Sequence, residues 1–190
     1  MHEVNVWAPW DLIQATVPGM VDRNRGWVVN ISSGVAAAER AQPGGAAYGG
    51  TKAMLDQMTR CLALELDGTE VVANVVSPQG ASRTEFVDAL VERDVLSEGL
   101  TEPLEVMAEA TLALATAPAS MRGLVVRSYE LLVQLGRPVR DLHGVAVLPG
   151  YDVADLPQRL QEIDDEADKP RDLRGKWGGK GGAAGGIARS

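Results

Sequence analysis

Tyr48 and Lys52 stand four residues apart in a segment that reads as a helix opening near Ala46. That spacing puts the phenol and the ammonium on one helix face, a turn apart. A phenol titrates near ~10 when unperturbed, too high to exchange a proton readily at neutral pH. A neighbouring ammonium favours the phenolate. Ser33 comes fifteen residues before Tyr48, just after an apolar run, Trp27-Val28-Val29-Asn30-Ile31. Its hydroxyl can hydrogen-bond a substrate oxygen beside the Tyr48 hydroxyl. The three groups fit proton transfer to or from an alcohol or a carbonyl. A tyrosine and a lysine at this spacing usually carry no chemistry, so the weight falls on the elements that position them.

The run Trp27 to Ile31 is rich in β-branched residues and reads as a buried strand. A loop punctuated by Pro43, Gly44 and Gly45 leads to the Tyr48 helix. Leu55, Met58 and Leu62 give that helix an apolar stripe, and Asp67-Gly68 should end it. Gly49 and Gly50 inside it cost about 1 kcal/mol each against alanine, which suggests close backbone approach. Val71 to Val76 is a second buried strand, ending in Ser77-Pro78-Gln79-Gly80-Ala81-Ser82-Arg83-Thr84. Upstream, Val4 to Val21 carries Trp10, Ile13, Val17 and Met20 at helical spacing. Pro9 marks an early turn there, and Pro18-Gly19 a fraying end. Pro103 to Ala117 is an amphipathic helix with proline in its first turn. Gly123 to Val126 reads as the last strand. Phe86, Leu90 and Val91 either line a pocket or simply pack.

The 190 residues are 45% hydrophobic and 23% charged, values that fit a globular domain. A net charge of -8 argues against nucleic acid as a partner. No stretch approaches the ~20 apolar residues of a membrane span, so no membrane partner is expected. The single cysteine, Cys61, sits in an apolar helical pattern and reads as a buried small hydrophobe. One thiol cannot build a disulfide framework, which suits a reducing cytoplasm. No metal ligands are assigned.

Asn30-Ile31-Ser32-Ser33, then Tyr48-Gly49-Gly50-Thr51-Lys52, then Pro78 after one further strand, together resemble the short-chain dehydrogenase/reductase family. Its central signature is a strand ending N-[IV]-S-S and a helix opening Y-x-x-[ST]-K. The gap between serine and tyrosine is slightly longer here, and the loop from Ala36 to Pro43 absorbs the difference. Asn5, 28 residues before Ser33, matches the family's helix-start asparagine. The resemblance implies a catalytic set of Asn5, Ser33, Tyr48 and Lys52. Tyr48 would exchange the proton, Lys52 would ease its deprotonation and hold the nicotinamide ribose, and Ser33 would orient the carbonyl. Asn5 would hold a water linking the lysine to solvent. The resemblance implies cofactor contacts from Tyr48 and Lys52, and from Pro78, Gly80 and Thr84 where the family has its P-G-x-x-x-T segment. Gln79 stands where the family's glycine is usual, and Thr84 comes one place late. The family's mobile substrate lid maps to Glu85–Leu100. The closing T-G-x-x-[IVL]-x-x-D-G-G pattern is not matched at Arg122-Gly123.

The resemblance covers residues 1 to about 132 and only the family's later half. Four residues precede Asn5, and the glycine-rich turn T-G-x-x-x-G-x-G, which would cradle a pyrophosphate, does not occur. The expectation is an α/β fold, a Rossmann-like doubly wound parallel sheet whose N-terminal cofactor-binding half is missing. The implied function is NAD- or NADP-dependent interconversion of a small alcohol and a carbonyl, from a truncated chain that grips the cofactor weakly. The alternative is a non-catalytic remnant acting through association of the helices Val4 to Val21 and Ala46 to Leu66. Those helices imply a homo-oligomer in either case. Residues 1–150 form the dehydrogenase part and 151–190 an acidic segment and tail. Asp155 to Ala167 would be a surface helix. The stretch from Arg171, including Gly178 to Gly182, reads as a disordered tail rather than a phosphate loop.

Overall fold

The computed structural model describes residues 1–41 and 44–169. Pro43 and the glycine-rich stretch from Arg171 lie outside them. A π-helical turn, Glu3–Trp7, runs into helix α1, Ala8–Asp22. Strand β1, Gly26–Ile31, follows, then two short 3-10 turns, Gly34–Ala36 and Ala38–Arg40. Helix α2 is Ala46–Glu65 and strand β2 is Val71–Ser77. Strand β3, Ala81–Ser82, precedes helix α3, Glu85–Glu92. Strand β4, Thr101–Glu102, precedes helix α4, Leu104–Leu114. Strand β5, Val125–Arg127, leads into helix α5, Ser128–Leu135, and the last helix, α6, is Leu156–Ala167.

β2 is buried along its whole length, as a central parallel strand covered on both faces must be. β1 pairs with it in parallel on one side and β5 on the other. No strand among the described residues pairs with the far edge of β1. Side chains alternate across β2. Val71 and Ala73 pack with Ile13 and Val17 of α1 and Leu62 and Ala63 of α2. Val76 faces the other way, into Val106, Ala110 and Leu114 of α4, Leu131 and Leu132 of α5, and Ile163 of α6. That is the period of two dictated by the pleat. Asn74, wholly buried in the middle of β2, accepts the Leu124 N–H through Oδ1 at 2.9 Å and so ties β2 to the residue before β5. The result is a Rossmann-like α/β layer arrangement around a parallel sheet.

Several elements differ from expectation. Pro9 falls in the first turn of α1, where its missing N–H costs nothing. Pro18 does not fray α1, which continues to Asp22. Pro103 precedes α4 rather than opening it. Cys61 is exposed, not buried. The buried face of α2 runs through Leu55, Thr59, Leu62 and Ala63, and Cys61 points away, accepting from Gln57 at 3.6 Å. Phe86 is 71% exposed and does not pack into the core. β3 and β4, two residues each and paired in parallel, are too short to show a strand period in the sequence.

α6 is acidic, as read, but it is docked rather than lying on the surface. Leu156 and Ile163 are buried in the main core with Leu131 and Tyr129. Truncating Ile163 to alanine should therefore destabilise the whole chain by about 2–5 kcal/mol. Urea unfolding followed by tryptophan fluorescence checks this. A change under about 0.5 kcal/mol, normal for a surface position, would mean that α6 adds nothing to the core.

A second buried tie fixes the turn after β2. Glu102 of β4, fully buried, accepts from Gln79 N at 2.9 Å, Gly80 N at 3.2 Å and Ser128 Oγ at 2.9 Å. Burial pushes its carboxyl from 4.5 up to about 7, and the hydrogen bonds only partly oppose the rise. The folded chain then holds this proton more tightly than the unfolded chain does. The group's contribution is full below about pH 4.5 and is lost as pH rises through about 7. Glu102→Gln should flatten that fall. Chemical denaturation at about pH 5 and about pH 8 tests it, and a pH dependence equal to that of the parent chain would refute the assignment.

Candidate active site

α2 begins tight against the turn that follows β1. A Cβ on Gly49 would stand 2.7 Å from the Val35 carbonyl oxygen, so only glycine lets the helix start this close. Gly50 meets nothing within 4 Å, and the structure gives no reason for it. This close start sets the first turn of α2 against the turn Gly34–Ala36 that follows β1. Tyr48 is 39% exposed. Lys52 Nζ donates to the Ile31 carbonyl at 2.8 Å and lies 6.0 Å from the Tyr48 ring centroid, within cation–π reach. Burial lowers the Lys52 ammonium from its ordinary range, and Asp56 opposes that. Asp56, one turn on, is raised by burial, against Ser32, Arg60 and Lys52.

Asn5 sits in the π-helical turn, where the ladder is locally widened. Its Nδ2 donates to Thr51 Oγ1 at 3.0 Å, and Thr51 in turn donates to the Tyr48 carbonyl at 2.8 Å. Asn5 thus ties α1 to the helix turn between Tyr48 and Lys52. Ser33 is extended at φ -149, just past β1. It lines a cavity of about 540 Å³ with Asp56, Arg60, Ser77 and Arg127. This cavity lies at the carboxyl ends of the parallel strands, where α/β sheets hold ligands.

The other expected positions divide. Pro78 directly follows β2, and its carbonyl oxygen lies 3.9 Å from where a Gly34 Cβ would stand. Gly80 is held by packing: a Cβ there would come 2.5 Å from the Leu100 carbonyl. Its N–H is already given to Glu102. Thr84 caps α3, accepting the Val87 N–H at 3.3 Å. Arg40, which the sequence did not mark, and Gln79, marked there only as standing in place of the family's glycine, both reach Asp164 of α6. Their separations, 124 and 85 residues, leave no local pattern to find them by. Among the described residues no group of three or more His, Cys, Asp or Glu could hold a metal ion. No described helix is long and apolar enough to cross a membrane.

Residues 1–94 match the family model described as short chain dehydrogenase. A short chain dehydrogenase of Pseudocercospora fijiensis is 40% identical over 78 residues, covering 41% of this chain and 25% of that protein. An NADP-dependent 3-hydroxy acid dehydrogenase of Salmonella typhi is 37% identical over 90 residues, covering 47% and 36%. Among solved structures, a serine dehydrogenase complexed with NADP+ superposes with TM-score 0.56 at 29% identity, covering 66% of this chain and 53% of that one. A 3-oxoacyl-[acyl-carrier protein] reductase from Brucella melitensis gives TM-score 0.56 at 28% identity, covering 65% and 48%. The chain therefore spans a quarter to about a third of these curated relatives and about half of these structures. On the strand–turn–helix geometry and on this agreement, the chain belongs, through residues 1–94, to the short-chain dehydrogenase/reductase family.

Proposed function

We propose that this chain carries the proton-transfer side of an NAD- or NADP-dependent oxidoreductase that interconverts a small alcohol and a carbonyl. The observation that carries the reading is the placement of Lys52 Nζ 6.0 Å from the Tyr48 ring, at the strand end that also bears Ser33. Tyr48 gives its phenolic proton to the carbonyl oxygen in reduction and takes the hydroxyl proton in oxidation. Ser33 donates a hydrogen bond to the same oxygen and orients it. Lys52 supplies positive charge beside the ring, and Asn5 sets the helix turn that carries both groups. Asn5 also holds a water that links Lys52 to solvent.

A nicotinamide dinucleotide supplies hydride acceptance and donation when bound. Tyr48 and Lys52, partly open at the strand ends, fit its ribose, and Pro78 fits the nicotinamide side. Gly80 and Thr84 fit less well, because their groups are spent on the β3–β4 turn and on capping α3. In a catalytically active form of the protein, Tyr48→Phe should lower turnover on the order of 10²–10⁴-fold and leave dinucleotide affinity nearly unchanged. Steady-state rates and calorimetric titration decide it: a variant keeping most of its kcat excludes Tyr48 as the acid/base.

Residues 1–150 would form the dehydrogenase part, and cytoplasmic residence is proposed with the reading. Association through α1 and α2 is the second element, and it also serves the non-catalytic alternative. Val4 is 73% exposed, Leu12 65%, Leu64 78% and Trp7 46%, an unusual apolar load for two neighbouring helices. The free edge of β1 adds unpaired backbone donors and acceptors. Static light scattering on purified chain should show dimers or larger species. A lone monomer that melts cooperatively would overturn the association.

A further inference from the structure

Three segments distant in the chain meet at one oxygen atom. Arg40 Nη2 donates to Asp164 Oδ1 at 2.9 Å, and Gln79 Nε2 donates to the same oxygen at 2.7 Å. Arg40 belongs to the loop between Ser33 and Tyr48. Its stem passes over Gly34, the residue after Ser33, with Cδ 3.8 Å from where a Cβ would stand. Gln79 directly follows Pro78 at the end of β2. A guanidinium and a carboxamide N–H that converge in this way are a donor set for a carboxylate. The chain itself shows what the position accepts, because Asp164 puts a carboxylate there.

The two donors differ in how firmly they are held. Gln79 is 4% exposed, and its Oε1 has no hydrogen-bond partner among the described residues. Its amide is fixed in the wall, and its Nε2 needs an acceptor whatever Asp164 does. The Arg40–Asp164 pair is more open, at 24% and 35% side-chain exposure. Pairs of that kind are worth little, so another carboxylate can replace this one by a side-chain rotation. In a chain of net charge -8, an anionic substrate also needs a local cation to meet it.

We propose that Arg40 and Gln79 form a carboxylate-binding subsite beside Ser33, that Asp164 fills it in the resting chain, and that the substrate is a small hydroxy or oxo acid whose carboxylate displaces Asp164. The proposal rests on reading Ser33 and Tyr48 as the reacting end of the site. It makes α6 an internal competitor as well as a structural helix.

The test measures binding of 3-hydroxypropanoate to the full chain, with propane-1,3-diol as the probe lacking a carboxylate. Changes in the Gln79 side-chain amide resonances, present in every variant, report the site, and neither dinucleotide nor turnover is needed. Asp164→Asn keeps an acceptor for Gln79 but removes the competing charge, and should tighten binding on the order of fivefold. Arg40→Ala should weaken it on the order of tenfold or more. The diol should not bind in any variant. Asp164→Ser provides a second, smaller side chain if the asparagine variant folds poorly. Affinity that does not rise in either Asp164 variant overturns the proposal, and so does affinity that survives Arg40→Ala. Failure here leaves the Tyr48→Phe result untouched, and loss of the proton-transfer reading would appear only there.

Discussion

Everything at the site hangs on the burial of β2. Seven consecutive buried residues leave that strand no choice but to be covered on both faces and paired on both sides. Parallel pairing with β1 in the register Gly26↔Val71 through Ile31↔Val76 brings the carboxyl ends of the two strands level. Pairing of Ser77 with Arg127 does the same for β5. Ser33, Pro78 and Ser128 emerge from neighbouring strand ends as a consequence. A one-residue slip would turn Val71 and Ala73 away from α1 and α2 and send Val76 out of the opposite core. The hydrophobic pattern therefore fixes the register, and the register brings Ser33, Pro78 and Ser128 to one end of the sheet.

The parts legible in the sequence were those whose cause is local. The strand β1, the helix α2 and the relation of Tyr48 to Lys52 follow from β-branched runs and a four-residue spacing. The Gly49 requirement was half-legible: two glycines announced close approach, and only the contact with Val35 shows which one serves it. Cys61 was misjudged because apolar neighbours in sequence do not fix which side of a helix faces the core. The buried stripe passes through Thr59, a polar residue whose hydroxyl donates to Leu55 O and accepts from Asn30. A threonine that settles its hydrogen bonds within its own helix and with the neighbouring strand β1 can be buried where a pattern search would choose a cysteine.

The acidic segment illustrates the opposite limit. Its composition described the outer face of α6 and said nothing about where the inner face would dock. Leu156 and Ile163 supply the apolar anchors, and these pack against α5 and Val76. Ser97 Oγ donates to Glu166 at 2.6 Å, which joins the same helix to the turn before β4. Contacts of this range depend on the completed fold, so no window of sequence holds them.

Gln79 is then held from two directions by carboxylates of different character. Glu102 takes its backbone N–H in a fully buried setting, with Ser128 and Gly80 completing the donor set. Removing that acceptor would strand buried amides, which is costly, so the backbone of the turn is fixed. Asp164 takes the side-chain N–H at a half-exposed position, where the exchange of one carboxylate for another costs little. Backbone and side chain of one residue are thereby separated in function. The turn after β2 keeps its shape while the donor it offers stays open to competition. A glycine at this position would provide the first property without the second, and the side chain of Gln79 is what links α6 to the strand ends.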